Sequence, residues 1–128
     1  RRLTEERAGG AKSVFHFDVQ GQVAKSTHAG IPWLRFIRSE LGDLVHFWPF
    51  DGWNIPQERS AIAEVYPALW SRRFAQESRT GDQHDAFSIA SQLLHYDRDE
   101  RLGGFLRPSL RPEERAIAQA EGWILGVM

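Results

Sequence analysis

Length, composition and charge describe a chain that folds into one domain. The 128 residues include 41% hydrophobic and 12% aromatic side chains, which is enough for a packed core. A net charge of −1 argues against a protein that coats duplex nucleic acid by charge alone, since such proteins are strongly basic. No run of about 18 apolar residues is present, so we expect no membrane partner.

The chain contains no cysteine. Disulfides and thiolate metal sites are therefore excluded, and a metal ion would need oxygen or imidazole ligands. The absence of cysteine also fits a reducing compartment, and we expect a cytoplasmic protein.

The start of the chain, 1–13, is polar, and we predict that it is a mobile N-terminal segment. A single α/β domain is predicted over 14–128. Its first strand candidate, 14–19, alternates apolar and polar residues in the manner of a half-buried strand. The next stretch, 20–30, is predicted to be a loop because glycines stand near both of its ends.

Helix and strand signals alternate through the rest of the chain. Pro32 suits the first position of a helix over 31–41, which Gly42 ends. The aromatic segment 44–50 and the apolar segment 60–67 are the second and third strand candidates. Three further helices are predicted over 68–74, 82–96 and 111–123. This alternation favours an α/β domain with helices packed on a sheet.

Three strands make a narrow sheet. We therefore expect that further strands lie before residue 1, or that a partner chain completes the sheet. In the second case the partner can be another copy of the chain, which gives a homo-oligomer.

Glu64 interrupts the apolar run AIAEVY, where a carboxylate is costly to bury. Three explanations remain open. The side chain points to solvent on an edge strand, pairs with an arginine such as Arg72 or Arg73, or projects from the strand end into a polar site.

Two aspartates stand at the start of the helix over 82–96. Asp82 suits the N-cap, and Asp85 in the first turn favours the helix dipole, so both have a structural explanation. Glu64 gives them a candidate partner on a strand. Carboxylates of a strand and a helix that face each other can bind two hard cations about 4 Å apart and promote phosphoryl transfer.

The aromatic segment HFWPFDGW places Phe47, Trp48, Phe50 and Trp53 close together. Burial in the core is the expected role for any one of them, and an exposed tryptophan would suit base stacking or a protein interface. Arginines between Glu64 and Asp82 either contact phosphate or coat a helix in solvent.

The motifs AIAEVYPALW and GDQHDAFSIA together resemble a bacterial and archaeal family of unknown function, whose predicted fold is ribonuclease H-like. Members of that family carry a strand that ends in E-x-Y-P and a later helix with a D-A step. The stretch VQGQVAKSTHAGIPWLRFIR and the closing EGWILG are similar to the family as well. The resemblance covers roughly residues 14 to 127.

The resemblance implies a mixed sheet flanked by helices and a divalent-metal nuclease site, as in the wider superfamily that includes Holliday-junction resolvases. Glu64 matches the strand glutamate of that site, Asp85 matches the helix aspartate, and Asp82 is its companion. His84 stands at a position that varies in the family. The family's first-strand aspartate has no counterpart here, because Asp18 is followed by a segment unlike the family's opening. We expect that opening segment, with its strands, to lie before residue 1.

The sequence therefore predicts a metal-dependent nuclease-like domain that acts on DNA or RNA. Glu64, Asp82 and Asp85 would be its catalytic residues and would bind Mg²⁺ or Mn²⁺. The alternative is a non-catalytic interaction or structural domain, in which Glu64 pairs with an arginine, Asp82 caps its helix and the aromatic segment packs on a partner.

Overall fold

A computed structural model describes residues 1–9, 11–15 and 24–128. The chain has a mixed α/β fold, in which most of the regular structure is helical and the sheet is one pair of parallel strands. The helices are α1 (Leu3–Arg7), α2 (Ala24–Leu41), α3 (Gly81–Arg98), α4 (Leu102–Leu106) and α5 (Pro112–Glu121). The strands are β1 (Val45–Phe47) and β2 (Ser60–Ile62). Short 3₁₀ turns cover Gly42–Leu44, Pro67–Leu69 and Ser71–Arg73.

The two strands pair in parallel, with His46 opposite Ala61. They lie within the predicted strands 44–50 and 60–67, which confirms both. Glu64 follows β2 and forms an isolated parallel bridge with Ile124, so the C-terminal segment lies beside the extension of β2. The first strand candidate, 14–19, is not a strand where it is described: Val14 and Phe15 form a turn, and the rest of the candidate lies outside the described residues.

Asp51 closes the outer edge of β1. The Phe47 N–H donates to the Asp51 carboxylate at 2.8 Å, and the Asp51 N–H donates to the Phe47 carbonyl at 2.9 Å. Burial is the largest single influence and tends to raise the pKa of Asp51. The hydrogen bonds from Arg38 and from this N–H together outweigh it and lower the pKa. Because these main-chain groups are already paired, strand addition at this position of β1 would have to displace Asp51.

The core centres on the C-terminal segment that follows α5. Trp123, Ile124, Leu125 and Val127 are buried there. They pack with a second group from the aromatic segment and α5, namely Trp48, Trp53 and Ala118. The core role expected for Trp48 and Trp53 is confirmed, since they are 1% and 9% exposed. Phe50, by contrast, is 54% exposed.

Two helices begin earlier than the sequence predicted. Residues 24–30, predicted as a loop, form the first turns of α2, and Pro32 lies inside that helix. A proline inside a helix removes one main-chain hydrogen-bond donor and disfavours the helix, yet α2 continues through Pro32. Helix α3 begins after Thr80, whose hydroxyl accepts the Gln83 N–H at 3.3 Å. The prediction that Asp82 is the N-cap is therefore wrong.

The polar start of the chain packs against the domain. Arg2, Thr4 and Glu5 are buried, and the Ile124 N–H donates to the Thr4 hydroxyl at 2.9 Å. The mobility of 1–13 stays a prediction, and the packing concerns the described part of that segment. Within the described ranges, no helix is both long and apolar enough to cross a membrane.

Candidate active site

A cavity of about 550 Å³ lies between the start of the chain, the segment that follows β2 and the first turns of α3. Its polar lining consists of Arg2, Lys12, Thr27, Glu64, Tyr66, Ser71 and Asp85. Its apolar lining consists of Ala11, Val14, Val65, Pro67, Ala68 and Ile124. The cavity thus combines both signs of charge with hydroxyl groups, a composition suited to a polar ligand.

Glu64 reaches the cavity because the bridge to Ile124 fixes its backbone. In this bridge the Leu125 N–H donates to the Glu64 carbonyl at 2.9 Å. The Glu64 carboxylate accepts two hydrogen bonds from the Arg2 guanidinium, each 2.7 Å long. The sequence left open whether Glu64 pairs with an arginine. It does, but with Arg2 and not with Arg72 or Arg73.

Arg2 lies between two glutamates. Its Nε donates to Glu5 Oε1 at 2.9 Å, opposite the contacts to Glu64. Burial disfavours the charged guanidinium most, but hydrogen bonds to Glu64 and Glu5 outweigh it and raise the pKa of Arg2. Glu5 also accepts the Val14 N–H at 3.1 Å and the Arg2 N–H at 3.0 Å. Burial tends to raise the pKa of Glu5, yet these hydrogen bonds and the Arg2 charge lower it overall.

The first turns of α3 distribute the three polar side chains differently. Asp85 is half-buried and lines the cavity, while Asp82 is exposed and lies outside the lining. His84 is half-buried, and its Nε2 lies 3.1 Å from the Ser71 carbonyl. Because a carbonyl only accepts, Nε2 carries a proton in this contact. The structure therefore brings Asp85 and Glu64 to one cavity and leaves Asp82 on the solvent side.

The donor chemistry of the cavity suits a hard cation. Carboxylate and hydroxyl oxygens are the ligands that Mg²⁺ and Mn²⁺ prefer. Among the described residues, however, no group of three or more histidine, aspartate or glutamate side chains is arranged to hold a metal ion. Two carboxylates, from Glu64 and Asp85, remain as the candidate ligands.

The arginines between β2 and α3 have other contacts. Arg73 donates to Gln92 at 3.2 Å, and the Arg79 guanidinium lies 3.7 Å from the centre of the Phe87 ring. Arg72 is exposed. None of the three lines the cavity, so within the described residues its positive side chains are Arg2 and Lys12.

Two features were missed from the sequence. Arg2 gave no local signal, because it stands in a polar stretch and its contact to Glu64 spans 62 positions. The aromatic side chains of α2 were also overlooked: Trp33 is 69% exposed and Phe36 is 54% exposed. Their spacing of three residues on a helix, with both rings on one side, was a sequence signal that could have found them.

Comparison of the chain with protein-family models, with curated proteins and with solved structures found no match.

Proposed function

We propose that the cavity is the site of a divalent-metal-dependent nuclease-like domain that acts on phosphodiesters of nucleic acid. The observation that carries the proposal is that Glu64 and Asp85, from different elements, line the same cavity. The resemblance of their two motifs to the ribonuclease H-like family supports the same pair. Asp82 has no part in the proposed site, because it lies on the exposed side of α3.

Each cavity group has a role in this proposal. The carboxylates of Glu64 and Asp85 would hold Mg²⁺ or Mn²⁺, which supplies electrophilic stabilisation of the charge that develops on a phosphodiester. Arg2 and Lys12 line the same cavity and provide positive charge beside a phosphate. The hydroxyls of Tyr66 and Ser71 can donate hydrogen bonds to its oxygens.

Calorimetric titration with Mn²⁺ tests the metal site. Glu64→Gln and Asp85→Asn should each weaken binding at least tenfold, because each removes one charged ligand. Asp82→Asn is the matched control on the same helix, and its affinity should stay within twofold of the parent protein. Equal binding by all four proteins would overturn the site.

Cleavage assays test the reaction itself. Labelled single-stranded and duplex DNA and RNA should be cut in the presence of Mg²⁺ or Mn²⁺, and the activity should disappear with a chelator or with Glu64→Gln. The preferred substrate among the four identifies the nucleic acid. Cleavage that persists in Glu64→Gln would assign the activity to another site or to a contaminant.

A second candidate function, an interaction domain, is favoured by the surface of α2. This helix has 18 residues, of which only Ala24 is buried. Trp33 and Phe36 contact each other edge to face, with ring centres 6.3 Å apart, yet both are more than half exposed. Exposed aromatic clusters of this kind mark protein interfaces.

The charge pattern of α2 favours a second copy of the chain as the partner. Lys25, Ala29, Trp33, Phe36 and Glu40 recur every three or four positions and share one face. If two copies of α2 pair antiparallel about a two-fold axis with Trp33 opposite Phe36, Glu40 lies opposite Ala29, and Lys25 of the second copy lies one helical turn further along. A patch that is complementary to itself is what a two-fold dimer requires.

Light scattering coupled to size exclusion tests this dimer. The parent protein should be dimeric at high micromolar concentration, and Trp33→Glu should be monomeric. Leu94→Glu provides the control, since Leu94 is an exposed apolar residue on α3 and its change should leave the dimer intact. A parent protein that is monomeric at every concentration would overturn the pairing.

A further inference from the structure

Arg2 covers the carboxylate that the proposed metal site needs. Its guanidinium contacts both oxygens of Glu64, at 2.7 Å each, in the parallel two-bond geometry that arginine and carboxylate favour. The Arg2 side chain is only 7% exposed, whereas the Glu64 side chain is 39% exposed. A buried cation therefore holds Glu64 from the protein side, while the cavity side of the carboxylate stays accessible.

A divalent cation and Arg2 compete for the same negative charge. Both stabilise the ionised carboxylate, and a cation bound about 2 to 2.5 Å from an oxygen of Glu64 would lie close to the positive guanidinium. Two positive groups at such short range repel each other, most strongly where water is excluded. Tight cation binding at Glu64 therefore favours a weaker contact with Arg2.

The Arg2–Glu64 ion pair can break without leaving Arg2 as an unpaired buried charge. Glu5 is fully buried and keeps its contact to Arg2 Nε at 2.9 Å, and the Glu121 carbonyl accepts from Nη1 at 3.3 Å. The Thr4 hydroxyl holds α1 to Ile124 independently of the guanidinium. A change in the Arg2 side chain alone would therefore free Glu64, with α1 still in place.

We infer that Arg2 is a built-in counter-ion that regulates cation binding in the cavity, so that a divalent cation binds Glu64 at the expense of the Arg2–Glu64 ion pair. This inference rests on the proposed metal site and adds its regulation. Reciprocity follows from thermodynamic linkage: whatever weakens the ion pair raises cation affinity, and a bound cation loosens Arg2.

Titration with Mn²⁺ of the parent protein and of Arg2→Met tests the inference. Removal of the guanidinium should tighten binding about tenfold, and the gain should vanish in the double variant Arg2→Met with Glu64→Gln. Arg7→Met is the matched control: it removes the same charge at the other end of α1, but Arg7 pairs with Glu114 and does not line the cavity. Its affinity should stay within twofold of the parent value.

Thermal unfolding shows whether Arg2→Met is folded. If it is not, Arg2→Lys is the variant to compare with the parent protein. Lysine keeps the charge next to Glu5 but lacks the two-bond fork, so Mn²⁺ affinity should lie between those of the parent and Arg2→Met. Unchanged or weaker binding in both variants, with binding still dependent on Glu64 and Asp85, would overturn the role of Arg2 alone. No Mn²⁺ binding in any folded variant would overturn the metal site and, with it, this inference.

Discussion

At the scale of single residues, the Glu5 carboxylate fixes the conformation of the start of the chain. Its carboxylate is fully buried and accepts from Arg2 Nε, from the Arg2 N–H and from the Val14 N–H. The two hydrogen bonds from Arg2 are buried, and the one from Val14 is partly buried. The network therefore ties the segment around Val14 to α1 and orients Arg2 toward Glu64.

Glu5→Ala should destabilise the fold by about 3 kcal/mol, since it leaves buried donors unsatisfied and removes half of the charge that balances Arg2. Urea unfolding followed by tryptophan fluorescence measures the change. Glu6→Ala, at the next and exposed position of α1, should change stability by less than about 0.5 kcal/mol. If the two variants are equally stable, the buried network contributes nothing.

At the scale of elements, short sequence patterns predicted those helices and strands whose formation depends on neighbouring residues. Pro112 and the glutamates after it mark the start of α5, and the apolar runs mark β1 and β2. The start of α2 was missed because Gly30 and Pro32 are breakers by themselves, while the helix continues through both. The Arg2–Glu64 pair could not be predicted, because no local pattern encodes a contact across 62 positions.

The C-terminal segment depends on a glycine where the chain passes the Trp70 ring. Gly126 has φ +100, and a Cβ there would overlap Trp70. Gly126→Ala should therefore destabilise the fold by about 2 kcal/mol or more, through both backbone strain and the clash with a buried ring. Thermal unfolding measures the loss.

Gly103→Ala is the control for this substitution. Gly103 lies in α4, and a Cβ there meets no atom within 4 Å. Alanine should be neutral or stabilise the fold by up to about 1 kcal/mol, because it favours the helix and restricts the unfolded chain. Equal losses for the two substitutions would show that the Trp70 contact is not the cause.

At the scale of the whole molecule, the two ends of the described chain are joined by polar contacts. Helix α1 and helix α5 meet through Glu114, which accepts from Arg7 at 2.6 Å and from the side chain and N–H of Arg111 at 3.2 and 3.0 Å. The Leu3 N–H donates to Glu121 at 3.1 Å nearby. The contact between α1 and α5 therefore depends partly on an ionised carboxylate of α5.

This dependence predicts a loss of stability in acid. The hydrogen bond from Arg111, followed by that from Arg7, lowers the pKa of Glu114 to about 2 from an ordinary value near 4.5. A lowered pKa means that the folded state favours the ionised form. The contribution of Glu114 to stability is therefore complete above pH 4.5 and is lost as the pH falls toward 2.

Glu114→Gln should unfold at a lower temperature than the parent protein at pH 6, and the two melting temperatures should converge near pH 2. Glu113→Gln, one position earlier on α5, should match the parent protein across the range, and a constant gap between Glu114→Gln and the parent would show that ionisation of Glu114 does not hold the two helices together.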